Sequence, residues 1–249
     1  DLEQYRLFIN LYTDYEIPAQ CSYFVNDSEI INKIKGHYQN GNKICILYGI
    51  SGSGKSSIAK EFALEDSRTA IWMDGQNFNK ETIFTNITKT AASYSNNIEG
   101  FFNAGNILLI LDNITCKIEE SYFSNLSEGF EKNSIILCTS QLFNNEASHL
   151  YLPMPSFSEF SVRKILNESL SSRIPNELIT IGKTSPLTLS FIRGYVQHFN
   201  PTQKHEFYKT ITKNLNQVQN ANAEALIKKI IETIDDKCVI EALTTISNM

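Results

Sequence analysis

The stretch from residue 44 to residue 64 constrains the fold more than any other part of this 249-residue chain. It begins with an apolar run, ICILY at 44–48, continues with GISGSGKS at 49–56, and ends with apolar residues at helical spacing over 57–64. A short continuous apolar run is typical of a parallel strand that is buried on both faces. The stretch therefore predicts a strand, a glycine-rich turn and a helix in immediate succession.

The glycine-rich turn matches the pattern GxxxxGK[ST] at every fixed position. Glycines allow the backbone to point its N–H groups inward, and the N-terminus of the following helix adds a partial positive charge. In such a P-loop the lysine reaches the β and γ phosphates of a nucleotide, and the hydroxyl that follows it ligates Mg²⁺. We therefore expect the turn to bind the phosphates of a nucleoside triphosphate or diphosphate. The expected phosphate-binding residues are Gly49, Gly52, Ser53, Gly54, Lys55 and Ser56.

Strand-like and helix-like patterns alternate from the P-loop through residue 152. The predicted strands are 44–48, 69–73, 107–111, 134–138 and 150–152, and further helical patterns lie around 83–91 and 122–130. This alternation is typical of a parallel sheet with helices on both faces. The predicted fold class is α/β, with a parallel-sheet P-loop NTPase domain.

The pattern changes after Pro153 and Pro155, where only helical segments follow. Ser158 is placed to cap one helix, and Ser185-Pro186 has the residue types that begin another. The predicted domains are an N-terminal linker helix at 1–22, the α/β domain at 23–152, a small helical domain at 153–215, and the start of a further helical unit at 216–249. Because the chain begins at Asp1 rather than Met, we expect it to be part of a longer protein.

A second candidate site residue ends the apolar segment ILLIL at 107–111, which is followed by Asp112 and Asn113. In P-loop ATPases an aspartate in this position holds Mg²⁺, often through water. The alternative is an aspartate that caps a helix or forms a turn after a core strand. The P-loop upstream favours the metal role, so we expect Ser56 and Asp112 to hold the ion together.

Charge and composition disfavour several classes of partner. The formal net charge is −5, and no run of Lys and Arg forms a footprint for a nucleic-acid backbone. No apolar stretch reaches the roughly 20 residues that span a bilayer. The chain has five cysteines, an odd number, and no two of them are spaced as CxxC. Buried reduced thiols, and hence a cytoplasmic location, are the expectation.

Five motifs in a fixed order carry a resemblance to a known family. They are FVND at 24–27, the P-loop, LILDN at 109–113, ILCTSQ at 136–141 and GKTSPL at 182–187. The ordered set resembles the NB-ARC family, the STAND-type ATPase module of apoptosome scaffolds and plant disease-resistance receptors. The resemblance extends from about residue 23 to about residue 200.

The resemblance implies a molecular switch with ATP or ADP and Mg²⁺ as its ligands. ADP would hold a closed monomer, and exchange for ATP would open it and drive self-assembly through the nucleotide domain, in signalling of an apoptosis or innate-immunity kind. The unit at 216–249 would be the start of a winged-helix domain. Phe24 and Val25 would flank adenine, and Pro186 would press on the adenine or ribose. The residues that would bind the phosphates and the metal ion are Gly52, Gly54, Lys55, Ser56, Ser57 and Asp112.

Three positions depart from the family's pattern. Asn113 stands where a second acidic residue is usual, and an amide cannot take a proton from water as a general base. Gln141 stands where an arginine senses the γ-phosphate, and Asp27 replaces another arginine. Of the four catalytic-position residues, Lys55, Asp112, Asn113 and Gln141, two therefore lack the usual chemistry. We expect nucleotide binding with very slow hydrolysis or none.

Two alternatives remain open from the sequence, and a third, a GTPase, is disfavoured. An active AAA+-like ATPase would need a catalytic acid and an arginine finger, and no motif surrounds Arg68, Arg163 or Arg193. A STAND transcriptional regulator would need a DNA-binding domain elsewhere in the protein. A GTPase would need an Asn-Lys-x-Asp motif late in the sheet, which the NKET at 79–82 imitates poorly.

Overall fold

The computed structural model describes residues 17–19, 28–75, 107–117, 134–168, 174–215 and 227–231. The chain divides into two compact units. The first contains residues 1–49 and 55–154, and the second contains residues 50–54 together with 155–249. The tip of the P-loop therefore belongs to the same unit as the segments that follow residue 154.

In the described part of the chain, the first unit is built around a five-stranded parallel sheet. Its strands are β1 (Ile44–Tyr48), β2 (Thr69–Asp74), β3 (Ile107–Ile114), β4 (Ile135–Ser140) and β5 (Tyr151–Pro153). They lie in the order β2-β3-β4-β1-β5. Because parallel strands all end at the same edge, the residues that follow β1, β3 and β4 meet there, where open α/β sheets bind ligands.

Two helices, α1 (Ser28–Gln39) and α2 (Lys55–Glu65), share one core with the sheet. Successive strand side chains point to opposite faces, so each strand contributes alternate residues to this core. The core contains Ile30, Ile31 and Ile34 of α1, Ile58, Ala59, Phe62 and Ala63 of α2, and Cys45, Leu47, Leu108, Ile110, Leu137 and Trp72 of the sheet. The opposite face carries a second core, which includes Ala147 and Leu150 of a 3₁₀ helix at Asn145–Leu150.

The strand, glycine-rich turn and helix predicted at 44–64 follow one another in the structure, and the turn joins β1 to α2. Together with the parallel sheet, this is the α/β fold of a P-loop NTPase. β1 has the predicted bounds, but β3 and β4 extend to Ile114 and Ser140, past their predicted ends at 111 and 138. The extra residues are polar as well as apolar, and they join the sheet because neighbouring strands supply backbone partners, as Asp74 does for Asp112.

The described helices of the second unit are α3 (Glu159–Leu166), α4 (Asn176–Thr184), α5 (Pro186–Val196) and α6 (Pro201–Leu215). Each buries one apolar face, as amphipathic helices do when they pack on one another. The buried residues of these helices include Val162, Ile165, Leu166, Leu178, Leu189 and Ile192. No helix among the described residues is both long and apolar enough to cross a membrane.

The two predicted helix starts have different outcomes. Ser158 caps α3 as expected, because its Oγ accepts a hydrogen bond from the Ser161 N–H at 3.1 Å. Pro186 is the first residue of α5, also as expected, but Ser185 makes no side-chain cap. The Ser185 hydroxyl instead bonds to the Thr188 hydroxyl at 2.7 Å, in a fully buried position.

Several predictions fall outside the described residues. They are most of the linker helix at 1–22, the adenine-flanking pair Phe24 and Val25, and the helical patterns around 83–91 and 122–130. Of the segment at 216–249, residues 227–231 are described and are helical. The winged-helix assignment and the four domain boundaries stay predictions.

Candidate nucleotide-binding site

The P-loop holds two residues in a backbone conformation that requires glycine. Gly52 and Gly54 have φ angles of 75° and 91°. Residues with a Cβ rarely adopt this left-handed region. The Ser53 N–H donates to the Ile50 carbonyl oxygen at 3.3 Å, which closes a turn at the tip. Gly52 is not a fixed position of the P-loop pattern, yet this chain needs glycine there as much as at Gly54.

Inside the second unit, the loop tip lies against the helical segments. A Cβ placed on Gly54 would be 3.6 Å from Phe157 Cζ and 3.7 Å from Pro186 Cγ. These are ordinary van der Waals distances, so the φ angle rather than lack of room requires glycine here. The Leu187 N–H, in the first turn of α5, donates to the Gly52 carbonyl oxygen at 3.3 Å. Phe157 and the start of α5 thus contact the tip through side chains and backbone.

Lys55, the lysine of the P-loop, is buried, with 8% of its surface exposed. Its Nζ donates to the Gly49 carbonyl oxygen at 2.9 Å. Burial lowers the pKa of its ammonium, and the Asp112 carboxylate opposes part of that shift. Holding a cation out of water is costly. A cation buried at a loop of this kind is suited to an anionic partner such as a phosphate.

Ser53 supplies a further sign that the loop is built for a ligand. Its Oγ is buried and has no hydrogen-bond partner within the described part of the chain. A buried hydroxyl without a partner costs about 1–3 kcal/mol. A phosphate oxygen at the loop would remove that cost, so this position fits the expected phosphate group.

The two residues expected to hold a metal ion touch each other at the edge of the sheet. The Ser56 Oγ donates to Asp112 Oδ1 at 2.8 Å, which joins the first turn of α2 to β3. A hydroxyl and a carboxylate are the oxygen donors that Mg²⁺ takes from a protein when the nucleotide supplies other ligands. The donor set therefore fits Mg²⁺ bound together with phosphates.

Thr139, near the end of β4, completes this group, and sequence reasoning did not single it out. Its Oγ1 donates to Asp112 Oδ1 at 2.6 Å and accepts the Asn113 N–H at 2.8 Å. Its side chain is fully buried. The sequence did contain a sign of its role, since Thr139 is a polar residue directly after the apolar run IILC at 135–138.

Asn113 has a φ of 61°, and the register of β3 against β4 shifts between Leu111 and Ile114. This irregularity points the Asn113 N–H at β4 while the Asp112 carboxylate also faces Thr139. Asparagine enters the left-handed region more readily than most residues. The local backbone is thus compatible with asparagine at this position.

Gly75 contacts the backbone of Asp112 from the end of β2. Directly after β2, its N–H donates to the Asp112 carbonyl oxygen at 2.5 Å. A Cβ on Gly75 would lie 2.7 Å from Ile114 Cγ1 and 2.8 Å from the Asp112 carbonyl oxygen, closer than real Cβ contacts come. The absence of a side chain therefore permits the close approach of β2 to β3 beside the candidate metal residue.

The remaining described residues of the predicted site are Ser57, Gln141 and Pro186. Ser57 follows Ser56 in the first turn of α2 and is half-buried. Gln141 follows the last residue of β4 and is exposed, and it brings no charge. Pro186 lies beside Gly54 within the second unit. Whether these residues bind a nucleotide stays a prediction.

No protein-family model matches the chain, and no curated protein matches it. Among solved structures, it is similar to a signal transduction ATPase with numerous domains (STAND) that carries a tetratricopeptide repeat sensor, from Pyrococcus horikoshii. The identity is 16%, the TM-score is 0.49, and the similarity covers 88% of this chain and 41% of that one. This chain thus spans about two fifths of the STAND protein's length.

Two further structures are similar to it. The RuvB Holliday-junction branch-migration motor of Thermotoga maritima is 14% identical with a TM-score of 0.40, covering 86% of this chain and 71% of that one. A Walker-type ATPase of Pyrococcus abyssi is 15% identical with a TM-score of 0.47, covering 80% and 76%. Identities of 14–16% carry no residue roles or activities over to this chain.

Proposed function

We propose that this chain binds an adenine nucleotide and acts as the switch of a signalling scaffold. The observation that carries the proposal is the contact of the P-loop tip with the helical segments of the second unit. The Gly52 carbonyl oxygen accepts the Leu187 N–H, and Gly54 lies beside Phe157 and Pro186. Because phosphates would lie on this loop, a change in the number of phosphates would act directly on those helical segments. Such a contact is suited to hinge-type coupling.

The P-loop residues divide the work of phosphate binding. The backbone N–H groups of the loop, turned by Gly52 and Gly54, would donate to phosphate oxygens, and the buried Lys55 would offset their charge. The Ser53 hydroxyl would gain the acceptor it lacks. The first turn of α2, with Ser56 and Ser57, would add the partial positive charge of a helix N-terminus.

Ser56 and Asp112 would hold Mg²⁺, for which their oxygen atoms are suitable donors. The ion, when bound, offsets the negative charge of the phosphates. Their present hydrogen bond of 2.8 Å keeps both oxygens at one place, so few rearrangements are needed to receive the ion.

The choice of adenine and of a switch rests on the resemblance to the NB-ARC family. By that resemblance Phe24 and Val25 would flank adenine, and Pro186 would cover the adenine or ribose. The ADP form would be closed, and the ATP form would open and assemble with further copies through the nucleotide domain. Other domains of a longer, cytoplasmic chain would supply the activating signal and the output, of an apoptosis or immunity kind.

The site is suited to retaining its nucleotide rather than hydrolysing it. Asn113 cannot serve as a general base, and Gln141 brings no charge to the γ-phosphate. The Asn113 N–H also donates a hydrogen bond to Thr139 Oγ1, which fixes the Asn113 backbone between β3 and β4. We therefore propose turnover far below the roughly 1–10³ s⁻¹ of typical enzymes.

Replacing Phe157 tests the coupling between the loop tip and the helical segments. Phe157→Ala should release a fluorescent ADP analogue roughly 5–30-fold faster, the effect of a 1–2 kcal/mol change, because Gly54 loses a packing partner. Phe160→Ala is the matched control, since Phe160 is a nearby phenylalanine with 63% of its surface exposed. Stopped-flow fluorescence measures both rates, and circular dichroism confirms that both variants are folded. Equal release rates from folded Phe157→Ala, Phe160→Ala and wild-type protein would contradict the switch.

A further inference from the structure

We propose that Thr139 is a positioning residue that fixes the Asp112 carboxylate for the Mg²⁺ that accompanies the nucleotide. This inference rests on the proposed nucleotide binding and extends it to a residue on a different strand. The Thr139 hydroxyl donates to Asp112 Oδ1 at 2.6 Å, and the Ser56 hydroxyl donates to the same oxygen at 2.8 Å. One carboxylate oxygen thus receives two hydroxyl groups, of which the P-loop pattern accounts for one.

The sheet order explains why Thr139 can reach Asp112. β4 lies between β1, which leads into the P-loop, and β3, which carries Asp112. Thr139 pairs with Leu47 of β1, close to the start of the loop. A side chain near the end of β4 is therefore flanked by the two strands that deliver the phosphate-binding and metal-binding groups.

The hydroxyl of Thr139 has a fixed direction. A threonine hydroxyl has a single proton to donate and accepts at its lone pairs. Here Oγ1 accepts the Asn113 N–H at 2.8 Å, so its proton is left for the Asp112 carboxylate. The side chain is fully buried, and a β-branched residue has few rotamers. Thr139 therefore acts as a rigid donor rather than as one that water can replace.

The two hydroxyl groups on Asp112 Oδ1 have different tasks. Ser56 belongs to the P-loop, and its oxygen would itself be a ligand of the ion through a lone pair. Thr139 lies in the interior, and its hydroxyl would bond to the carboxylate whether or not the ion is bound. It would thereby hold the carboxylate in one orientation. Such outer partners of metal ligands typically affect metal affinity by 10–100-fold.

A purely structural role for Thr139 predicts something different. The hydroxyl also joins β3 to β4 through the Asn113 N–H. If that were its whole purpose, its removal would lower stability but leave the dependence of nucleotide affinity on Mg²⁺ unchanged. The two roles are separated by comparing ADP affinity with and without the ion.

Thr139→Val removes the hydroxyl at nearly constant shape, and Thr139→Ser keeps it. Thr212→Val is the control for loss of a buried threonine hydroxyl, because Thr212 is also buried and donates to a backbone carbonyl in α6, at Tyr208. Calorimetric titration of ADP into each protein, in Mg²⁺ and in EDTA, gives the gain in affinity due to the ion. Urea unfolding without nucleotide gives the stability of each variant.

We expect Thr139→Val to lose about 10-fold or more of the Mg²⁺-dependent gain, while its affinity in EDTA is unchanged. Thr139→Ser should retain the gain, and so should Thr212→Val. A full gain in Thr139→Val, or an equal loss in Thr139→Ser, would overturn the role of Thr139 alone. A wild-type affinity that does not respond to Mg²⁺ would overturn the metal assignment, and no ADP binding by the wild type would overturn the proposed function itself.

Discussion

At the scale of single residues, the backbone of Asn113 connects local structure to the expected chemistry. Its φ of 61° suits asparagine, aspartate or glycine, and its N–H bonds to Thr139. The amide therefore stands at a position where the backbone would equally accept an acid. The departure from the NB-ARC pattern is one of side-chain chemistry, and a single substitution can reverse it.

Asn113→Asp should raise ATP turnover, because a carboxylate placed after Asp112, the proposed metal ligand, can accept a proton from water. General bases contribute typically 10²–10⁴-fold, and we expect a gain of about 10²-fold or more. Asn113→Gly is the control, since glycine accepts the same φ angle but has no carboxylate. Phosphate release under single-turnover conditions measures the rate. A rate in Asn113→Asp that equals that of Asn113→Gly would show that the amide does not limit hydrolysis.

The buried ammonium of Lys55 predicts a dependence of stability on pH. Burial lowers its pKa in the folded state, so between that lowered value and the ordinary lysine pKa of about 10.4 the folded chain binds fewer protons than the unfolded chain. The free energy of unfolding of the wild type should therefore rise with pH relative to that of Lys55→Met. Urea unfolding of both proteins without nucleotide, at pH values from neutral to about 10.4, measures the difference. A difference that is flat or falls with pH would mean that Lys55 is not held in a desolvated site.

At the scale of elements, the sequence predicted β1, the P-loop and the start of the next helix, because each has a strong local signal in its own residues. It did not predict how far β3 and β4 continue. Asp112 and Thr139 break the apolar runs, and pairing with Asp74 and Leu47 of the neighbouring strands keeps them in the sheet. Thr139 was missed for the same reason, since its importance depends on a hydrogen bond to another strand.

Gly75 tests the packing of β2 against β3. Gly75→Ala should destabilise the fold by roughly 1–3 kcal/mol, because its Cβ would press on the Asp112 carbonyl oxygen and the Ile114 side chain. Gly36→Ala is the matched control: Gly36 lies inside α1, where a Cβ meets nothing within 4 Å, so alanine should stabilise by roughly 0.5–1 kcal/mol. Urea denaturation measures both changes. Equal stability of the two variants would contradict the close approach at Gly75.

At the scale of the whole molecule, the sequence indicated an α/β part followed by a helical part, with the change after Pro153 and Pro155. It did not indicate that the loop tip, residues 50–54, groups with the second unit. That grouping depends on Phe157 and the start of α5, which are distant in the chain and carry no local sign of the contact. The buried thiols of Cys45 and Cys138 agree with the expectation from the sequence, while Cys116 is only half-buried.

Self-assembly should depend on the phosphate that the loop holds. We expect the ADP form of the chain to sediment as a monomer and the ATP form, with Mg²⁺, to sediment as a larger species of several copies. Lys55→Ala should remain monomeric with either nucleotide, because it lacks the cation that we propose retains the phosphates. Analytical ultracentrifugation measures the masses. An identical mass for the wild type in ADP and ATP would contradict nucleotide-driven assembly of this chain.

The central claim is that the loop at Gly49–Ser56 retains an adenine nucleotide and turns it over slowly. The most direct test is to denature the purified protein and identify the released nucleotide by chromatography, with Lys55→Ala as the control. We predict nearly one ADP or ATP for each wild-type chain and little or none for Lys55→Ala. Guanine nucleotide, or an empty wild-type protein that hydrolyses added ATP at about 1 s⁻¹ or faster, would contradict the claim.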